Sequence, residues 1–375
     1  MGMGYRWFIR PLLKLQDSEK AHLRSLHILR RMSHFRAGKW LLNLMFAPRY
    51  SLPVELFGTQ YKHPFGLAAG MDKNGVALQG WPAIGLAFAE IGGVTMLAQE
   101  GNPRPRMFRS DVSQALVNRM GFNNLGSEKI RTILLHHQKR FGKSPIPLWA
   151  NLGKSKLTPI EDAHHDYATS LARLWECVDV FVINVSSPNT PQLRELQNDD
   201  HLARILQACQ EANLTMSDTH QAPQKPILVK IAPDITSEQL KSIILTSQNA
   251  KASGIVVCNT TVSRPQSTQL KDIRIFEQTG GLSGKPLKER STELIRTVRN
   301  LVGPDWPIIG VGGISSADDA YEKILAGATL VQAYSGFVFE GPALCKQIVH
   351  GLQHRLQKDG FRTVAEAIGS SHSSG

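Results

Sequence analysis

Short apolar runs recur along the chain. Each is followed by a polar, glycine-rich stretch and then by a segment whose apolar positions repeat at helical spacing. The runs are Phe65–Ala69, Ala87–Val94, Leu148–Leu152, Val180–Val185, Ile227–Ile231, Gly254–Val257, Pro307–Val311 and Leu330–Ala333. Most are unbroken and rich in branched residues, as strands buried on both faces of a parallel sheet are. Eight strands alternating with helices over roughly 270 residues predict an α/β fold, a (β/α)8 TIM barrel. A doubly wound open sheet is the competing arrangement, and it gathers its ligand-binding residues at one switch point. Here polar residues follow nearly every run, which suits a barrel with its active site at one rim.

The pattern ahead of the barrel differs. Tyr5, Phe8, Ile9, Leu12 and Leu13 fall on one helical face, with Arg6, Arg10 and Lys14 off it and Pro11 as a point of bending. Asp17 or Ser18 can cap a second helix that carries Leu23, Leu26, Leu29 and Met32 beside Arg24, Arg30 and Arg31. We therefore divide the chain into a basic, amphipathic helical extension (1–42), a connector with a short hairpin (43–63), the barrel (64–360) and a tail (361–375) disordered from Ser370 onward.

Charge sharpens this picture. The net charge is +12, and residues 1–40 hold nine Lys and Arg against Asp17 and Glu19, so +7 of it lies there. Such asymmetry points to an anionic partner, lipid head groups or nucleic acid. The segment lacks the interleaved aromatics of a base-stacking surface, so no nucleic-acid partner is expected. Two readings stand: an element lying in a membrane interface, or a helical hairpin packed on its own domain. No apolar run approaches the ~20 residues that span a bilayer, and the start lacks the features of a secretory signal. Cys177, Cys209, Cys258 and Cys345 form neither a CxxC pair nor a metal-ligand spacing, so free thiols and no metal site are expected.

The polar strand ends carry the chemistry. They are Ala69-Gly70-Met71-Asp72-Lys73, then Asn151, then Asn184 to Asn189 with Ser186 and Ser187, then Lys230, Cys258-Asn259-Thr260-Thr261, Gly310-Val311-Gly312-Gly313, and Tyr334-Ser335-Gly336. Carboxamides and hydroxyls in this number suit a planar, neutral-polar ring that carries both donors and acceptors. The Gly310 loop opens a helix after the seventh run, where barrels often hold phosphate, and Gly281-Leu282-Ser283-Gly284 reads as a third flexible segment. It lacks GxGxxG spacing, so a mononucleotide fits better than a dinucleotide. Lys230, closing an apolar strand, is placed to stabilise negative charge on a reduced flavin.

Eight motifs in order extend this reading: Gly66-Leu-Ala-Ala-Gly-Met-Asp-Lys73, Asn118-Arg-Met-Gly-Phe-Asn123, Asn184-Val-Ser-Ser-Pro-Asn-Thr190, Lys230-Ile-Ala-Pro-Asp234, Asn259-Thr-Thr261, Gly280-Gly-Leu-Ser-Gly284, Gly310-Val-Gly-Gly313 and Tyr334-Ser335. Through them the chain resembles the class 2 dihydroorotate dehydrogenases, the membrane-associated, quinone-using type, along almost its full length. The resemblance implies one FMN per barrel, oxidation of dihydroorotate to orotate for pyrimidine synthesis, and a membrane quinone as acceptor. It implies a peripheral protein on the cytoplasmic face of a bacterial inner membrane, held to anionic lipid through residues 1–40.

By that resemblance Ser187 is the catalytic base for the C5 proton, where class 1 relatives use cysteine. Lys73, Asn118, Arg119, Met120, Gly121, Phe122, Asn184, Asn189, Asn259 and Thr260 match substrate-binding positions. Ala69, Gly70, Lys73, Gly93, Asn151, Asn184, Lys230, Cys258, Gly284, Gly313, Tyr334 and Ser335 match FMN contacts, and Arg109 and Tyr334 face the quinone. Two positions depart from the family pattern: Gly93 stands where a serine or threonine is usual, and Cys258 where a threonine is. Each removes or weakens a hydroxyl donor near the flavin. The rivals are another FMN barrel, such as a 2-hydroxy-acid oxidase or a class 1 enzyme, and a lipid- or nucleic-acid-binding protein. The Ser187 loop and the basic helices disfavour the first pair.

Overall fold

The computed structural model describes Tyr5, Trp7, residues 10–190 and residues 193–372. Three helices lead, α1 (Arg10–Lys14), α2 (Ser18–His34) and α3 (Arg36–Phe46). A hairpin follows, β1 (Val54–Leu56) and β2 (Thr59–Tyr61). Its turn residues Phe57 and Gly58 both have positive φ, as a two-residue hairpin turn with right-handed strand twist requires.

Eleven further strands form the barrel and a second, three-stranded sheet. They are β3 (Phe65–Asp72), β4 (Ala89–Val94), β5 (Met107–Ser110), β6 (Ala115–Asn118), β7 (Leu148–Leu152) and β8 (Val180–Asn184), then β9 (Ile227–Ile231) and β10 (Gly254–Val257). The last are β11 (Gly281–Gly284), β12 (Ile308–Val311) and β13 (Leu330–Ala333). Of these, β3, β4, β7, β8, β9, β10, β12 and β13 close into a parallel barrel. Each of the eight apolar runs thus supplies one barrel strand. The first run continues to Asp72, because that buried carboxylate accepts hydrogen bonds from Val76 N (2.6 Å), Ala77 N (2.8 Å) and Trp81 Nε1 (3.0 Å) and so anchors the strand end.

At the opposite end of the barrel Phe88 and Trp149 stack at 4.6 Å between centroids, and Tyr61 from the hairpin meets Phe88 edge-on at 5.5 Å. These large side chains are buried and fill the floor. Burial of one such side chain contributes about 1.5–3 kcal/mol.

A second layer was not legible from the runs. Strands β5, β6 and β11 form an antiparallel sheet in the order β11-β6-β5, with Gly281 and Met107 both opposite Asn118. The segment Gly281–Gly284 is therefore a strand and not a flexible loop. Its pairing partner lies more than 160 residues earlier, and Leu282 buries against Ala115, Val117 and Phe276 in a small core of its own. Four residues with two glycines carry little strand propensity, so the ladder and this core decide the conformation.

The N-terminal helices pack on the barrel. Asp17 caps α2 by accepting from Glu19 N (3.1 Å) and Lys20 N (3.0 Å). Leu26 and Leu42 are buried in the main core, with Leu29 and Met32 partly buried against it. Any Cβ at Gly38 would lie 2.1 Å from Met32 O, so α3 crosses the end of α2 in backbone contact. A boundary after residue 42 falls inside α3, which continues to Phe46. Phe8 and Ile9 lie outside the described residues. At the other end, Val364–Ala367 is helical and Ser370–His372 forms a 3-10 turn, with Ser371 Oγ donating to Leu325 O (2.7 Å). Helical conformation thus continues through His372; residues 373–375 lie outside the described chain. All four cysteines are buried and unpaired.

Candidate active site

Strand register brings the polar ends together. Asn151 pairs with Gly92 across β4 and β7, and Asn184 pairs with Lys230 across β8 and β9. From here a chain of hydrogen bonds runs through the rim. Glu90, wholly buried, accepts from Asn151 Nδ2 (2.7 Å) and from Gln332 Nε2 (2.6 Å). Asn151 Oδ1 accepts from Asn184 Nδ2 (2.8 Å), and Asn184 Oδ1 accepts from Ser186 Oγ (3.0 Å) and Asn259 Nδ2 (3.3 Å). Asn151 and Gln332 both turn their NH2 ends to Glu90, which leaves the Asn151 oxygen to accept from Asn184 and so sets the direction of the chain.

Sequence reasoning missed Glu90 and Gln332. A signal existed for both. Each is a lone polar residue inside a buried apolar run, and charged or amide side chains are seldom fully buried without a partner.

One cavity collects nearly all the expected residues: Ala69, Gly70, Lys73, Gly93, Asn118, Met120, Gly121, Phe122, Asn151, Asn184, Ser187, Asn189, Lys230, Cys258, Asn259, Thr260, Gly284, Gly313, Tyr334 and Ser335. Ser187 sits on the loop after β8, and its Oγ accepts from Asn189 N (3.3 Å). Asn189 Nδ2 donates to Asn118 Oδ1 (3.1 Å), which ties this loop to the end of β6. Three groups at the cavity lack partners. Asn189 Oδ1 and Gln332 Oε1 are buried acceptors without a hydrogen bond. The Lys230 side chain is buried, and no described residue pairs with its ammonium group. Buried polar groups are nearly always satisfied, so these call for a ligand with N–H donors and negative charge. A flavin ring meets that description. At one end the backbone of Gly312 and Gly313, with φ of 119° and 72°, lines the cavity beside Ser335, and positive φ here favours glycine.

Lys73 hydrogen-bonds Asn123 Oδ1. Burial lowers its ammonium to about 7; the Arg106 charge pushes the same way and Glu19 opposes it. Tyr334 lines the cavity from the barrel, and the His22 ring from α2 stacks beside it at 6.4 Å. Burial holds His22 down to about 4, with Lys73 adding to the effect, so the ring is neutral near pH 7.

Two expected residues lie elsewhere. Arg119 does not line this cavity. Its guanidinium stacks over the Phe108 ring at 4.7 Å and donates to Pro105 O (3.0 Å) and Gln278 Oε1 (3.1 Å), because β6 turns that side chain outward while Asn118 points in. It borders a neighbouring opening beneath the Ser187 loop. Arg109 on β5 lies outside the cavity wall, with its Nε 3.8 Å from Asp111. Arg10 also bonds Asp111 (2.7 Å) and sits over the Phe339 ring, so this basic residue faces the protein and not solvent.

The two departures have a local account. A Cβ at Gly93 would come within 2.5 Å of the Phe122 ring, so Phe122 occupies the room a hydroxyl side chain needs. Cys258 Sγ lies 3.8 Å from Val311 O, and burial pushes its thiol up to about 11, which keeps it a neutral, weak donor.

A parallel barrel with a buried carboxamide cavity, two lysines on its wall and a glycine loop at its C-terminal rim defines a cofactor-dependent barrel enzyme. Residues 51–356 match the family Dihydroorotate dehydrogenase. A Gloeobacter violaceus protein named dihydroorotate dehydrogenase (quinone) is 44% identical over 97% of this chain and 98% of its own length. Its Deinococcus deserti counterpart of the same name is 43% identical over 98% and 99%. Among solved structures, the ligand-free DHODH of Eimeria tenella superposes with a TM-score of 0.81 at 32% identity, covering 92% of this chain and 99% of that one. The DHODH of the same organism in complex with ferulenol gives 0.80 at 34% identity over 89% and 93%. The chain belongs to the dihydroorotate dehydrogenase family.

Proposed function

We propose that this protein oxidises dihydroorotate to orotate in pyrimidine synthesis, using bound FMN and a membrane quinone as acceptor. The observation that carries the reading is Ser187 on one wall of a carboxamide cavity whose buried Lys230 ammonium has no described partner.

Ala69, Gly70, Asn151, Lys230, Gly284, Gly313, Tyr334 and Ser335 line the cavity and would hold the cofactor. When bound, the flavin supplies a two-electron acceptor for the substrate and a donor to the quinone. The remaining groups handle the substrate. Asn118, Asn184, Asn189 and Asn259 supply donors and acceptors at fixed positions around a planar amide ring. Lys73 offers its charge to the substrate carboxylate. Ser187 Oγ takes the C5 proton and gives up its own hydroxyl proton to solvent through the neighbouring opening, as the C6–H bond breaks, its electron pair and hydrogen leave as hydride to the two-electron acceptor, and the C5=C6 double bond forms. Arg119, turned away, borders the approach to this loop and not the ring.

Lys230→Ala removes the only described cation at that part of the wall. A hydrogen bond to a charged group contributes about 1.5–3 kcal/mol, so FMN affinity is expected to fall about ten- to a hundredfold. Dilution of the holoprotein, followed by flavin fluorescence, measures it. Unchanged affinity and an unchanged flavin potential would leave Lys230 a structural role.

The N-terminal helices serve the quinone and the membrane. Leu15, Ile28, Phe35, Trp40 and Leu44 are exposed there, beside exposed Arg24, Arg30, Arg31 and Arg36. Apolar side chains ringed by cations suit an interfacial element on anionic lipid, at the cytoplasmic face of a bacterial inner membrane. No described helix is long and apolar enough to cross a membrane. A quinone that enters along α2 meets His22 and then Tyr334, with Arg109 near the same entrance.

The test is an anaerobic titration of the purified holoprotein. One equivalent of dihydroorotate should bleach the flavin, and a long-tailed quinone should restore its colour. Failure of dihydroorotate to reduce it, or reduction by a 2-hydroxy acid instead, would overturn the reading.

A further inference from the structure

We propose that Arg194 is a positioning residue that fixes the backbone beside Ser187 by joining three rim loops through one guanidinium. This rests on the reading of Ser187 as the proton acceptor for dihydroorotate.

Arg194 lies in the short 3-10 segment Leu193–Gln197, on the far side of the loop from Ser187. All three of its guanidinium nitrogens are engaged. Nε donates to Ser186 O (3.3 Å), the carbonyl directly before Ser187. Nη2 donates to Thr260 O (3.2 Å), on the loop after β10. Nη1 pairs with Asp234 Oδ2 (3.1 Å), on the loop after β9. The planar fork of arginine suits three acceptors in fixed directions, which the single ammonium of lysine does not reproduce.

Asp234 is itself tied down. It accepts from Thr261 Oγ1 and from Val262 N (2.9 Å). Thr261 in turn exchanges backbone hydrogen bonds with Leu282 at 3.0 and 2.7 Å, so the latch is continuous with the roof strand β11. Arg194 and Asp234 side chains are 26% and 16% exposed, so the pair is shielded without being sealed in the core.

The geometry explains why the guanidinium acts at Ser186. Ser187 Oγ has no titratable partner within hydrogen-bond distance among the described residues; its one hydrogen bond there is accepted from the Asn189 amide. Its usefulness depends on where the loop backbone puts it. A carbonyl fixed one residue upstream sets that position, while Asn189 Nδ2 to Asn118 Oδ1 fixes the loop two residues downstream. Removal of the Arg194 tie frees the Ser186 carbonyl and leaves the upstream side to the bonds of Ser186 with Asn184 and Asn259, and misplacement of about 1 Å costs on the order of a hundredfold in rate.

The experiment separates the two half-reactions of the holoenzyme. In Arg194→Gln, flavin reduction by dihydroorotate should slow at least tenfold and orotate should bind more weakly. Flavin occupancy, thermal midpoint and reoxidation by quinone should stay within about twofold. Arg194→Lys should recover no more than a small part of the lost rate, and Asp234→Asn should show the same split with a smaller loss. Unaltered flavin reduction in Arg194→Gln overturns the latch. So does equal slowing of both half-reactions, or full recovery by lysine. If Arg194→Gln does not fold, the Asp234→Asn split decides alone. Reduction of the wild-type flavin by dihydroorotate is the separate control: its failure would remove the parent reading, whereas success with unaltered variants removes only the latch.

Discussion

Ser187→Ala is expected to keep its flavin and to lose at least about a hundredfold in the rate at which dihydroorotate reduces it. The side chain is buried on the loop after β8, and the substitution removes one oxygen from a cavity wall. That oxygen makes only one protein hydrogen bond, accepted from Asn189 N at 3.3 Å, so the fold has little at stake in it. In the proposed assignment FMN would be held by other residues, notably Asn151, Lys230 and the Gly312-Gly313 backbone. Loss of rate without loss of cofactor is thus the signature of a proton acceptor. Stopped-flow reduction under anaerobic conditions, with the flavin spectrum read before mixing, measures both quantities. Near wild-type reduction would sink the assignment of Ser187.

The second large effect is expected at the other end of the electron path. Trp40, Leu41 and Leu44 lie on one exposed face of α3. Replacement of Trp40 and Leu44 by serine should leave flavin reduction intact and cripple turnover with a long-tailed quinone in anionic vesicles. Each apolar side chain buried in lipid contributes about 1.5–3 kcal/mol, so the pair is worth a hundredfold or more in membrane affinity, roughly. Nearby cations add about 1 kcal/mol each, and salt weakens that part. A small soluble acceptor should still work. Vesicle sedimentation and quinone turnover, measured side by side, check this; intact turnover in the variant would make the helices packing elements only.

Deletion of the whole extension is a poorer test, for a reason the structure supplies. Glu19 is buried and forms fork-like pairs with Arg106 (2.7 and 3.0 Å) and Arg104 (3.1 and 3.2 Å). Burial by itself would raise the Glu19 carboxyl, but the two arginines outweigh it and hold it below the usual carboxylate range. Arg106 also donates to Glu100 O and Asn102 O, and Asn102 Nδ2 reaches Asn189 O (3.2 Å). Without Glu19, Arg106 stays buried without its carboxylate, a loss of about 3–5 kcal/mol next to the substrate loop. A cut after residue 40 would also sever α3. The surface substitutions avoid both faults.

The barrel was legible in the sequence because a strand buried on both faces must be apolar throughout, and eight such runs leave few topologies open. The rim was legible for a related reason. Where a run ends in Asn184, Lys230 or Asn259, the next residues lie at the C-terminal edge of the barrel whatever the details of the loop. The hairpin at Phe57-Gly58 and the cap at Asp17 were equally local. The two readings of the basic extension were not exclusive: Leu26, Leu42 and Glu19 pack on the barrel while Trp40 and Leu44 face outward.

Other features depend on partners far along the chain. Gly281–Gly284 is a strand only because β6 pairs with it. Arg119 turns outward only because Phe108 and the Pro105 carbonyl lie beside β6. Glu90 is tolerated inside the barrel because Asn151 and Gln332, from two other strands, satisfy both of its oxygens. The Arg194 latch needs carbonyls and a carboxylate from three loops. Periodicity and strand ends are properties of ten or so neighbouring residues, so the sequence by itself determined the barrel, its rim and the residue types on it. Hydrogen-bond satisfaction in this buried site joins residues as far as 242 positions apart, as Glu90 and Gln332 are. Only the tertiary structure decided which polar groups find protein partners and which are left for a ligand, because each bond depends on distances that no local pattern encodes.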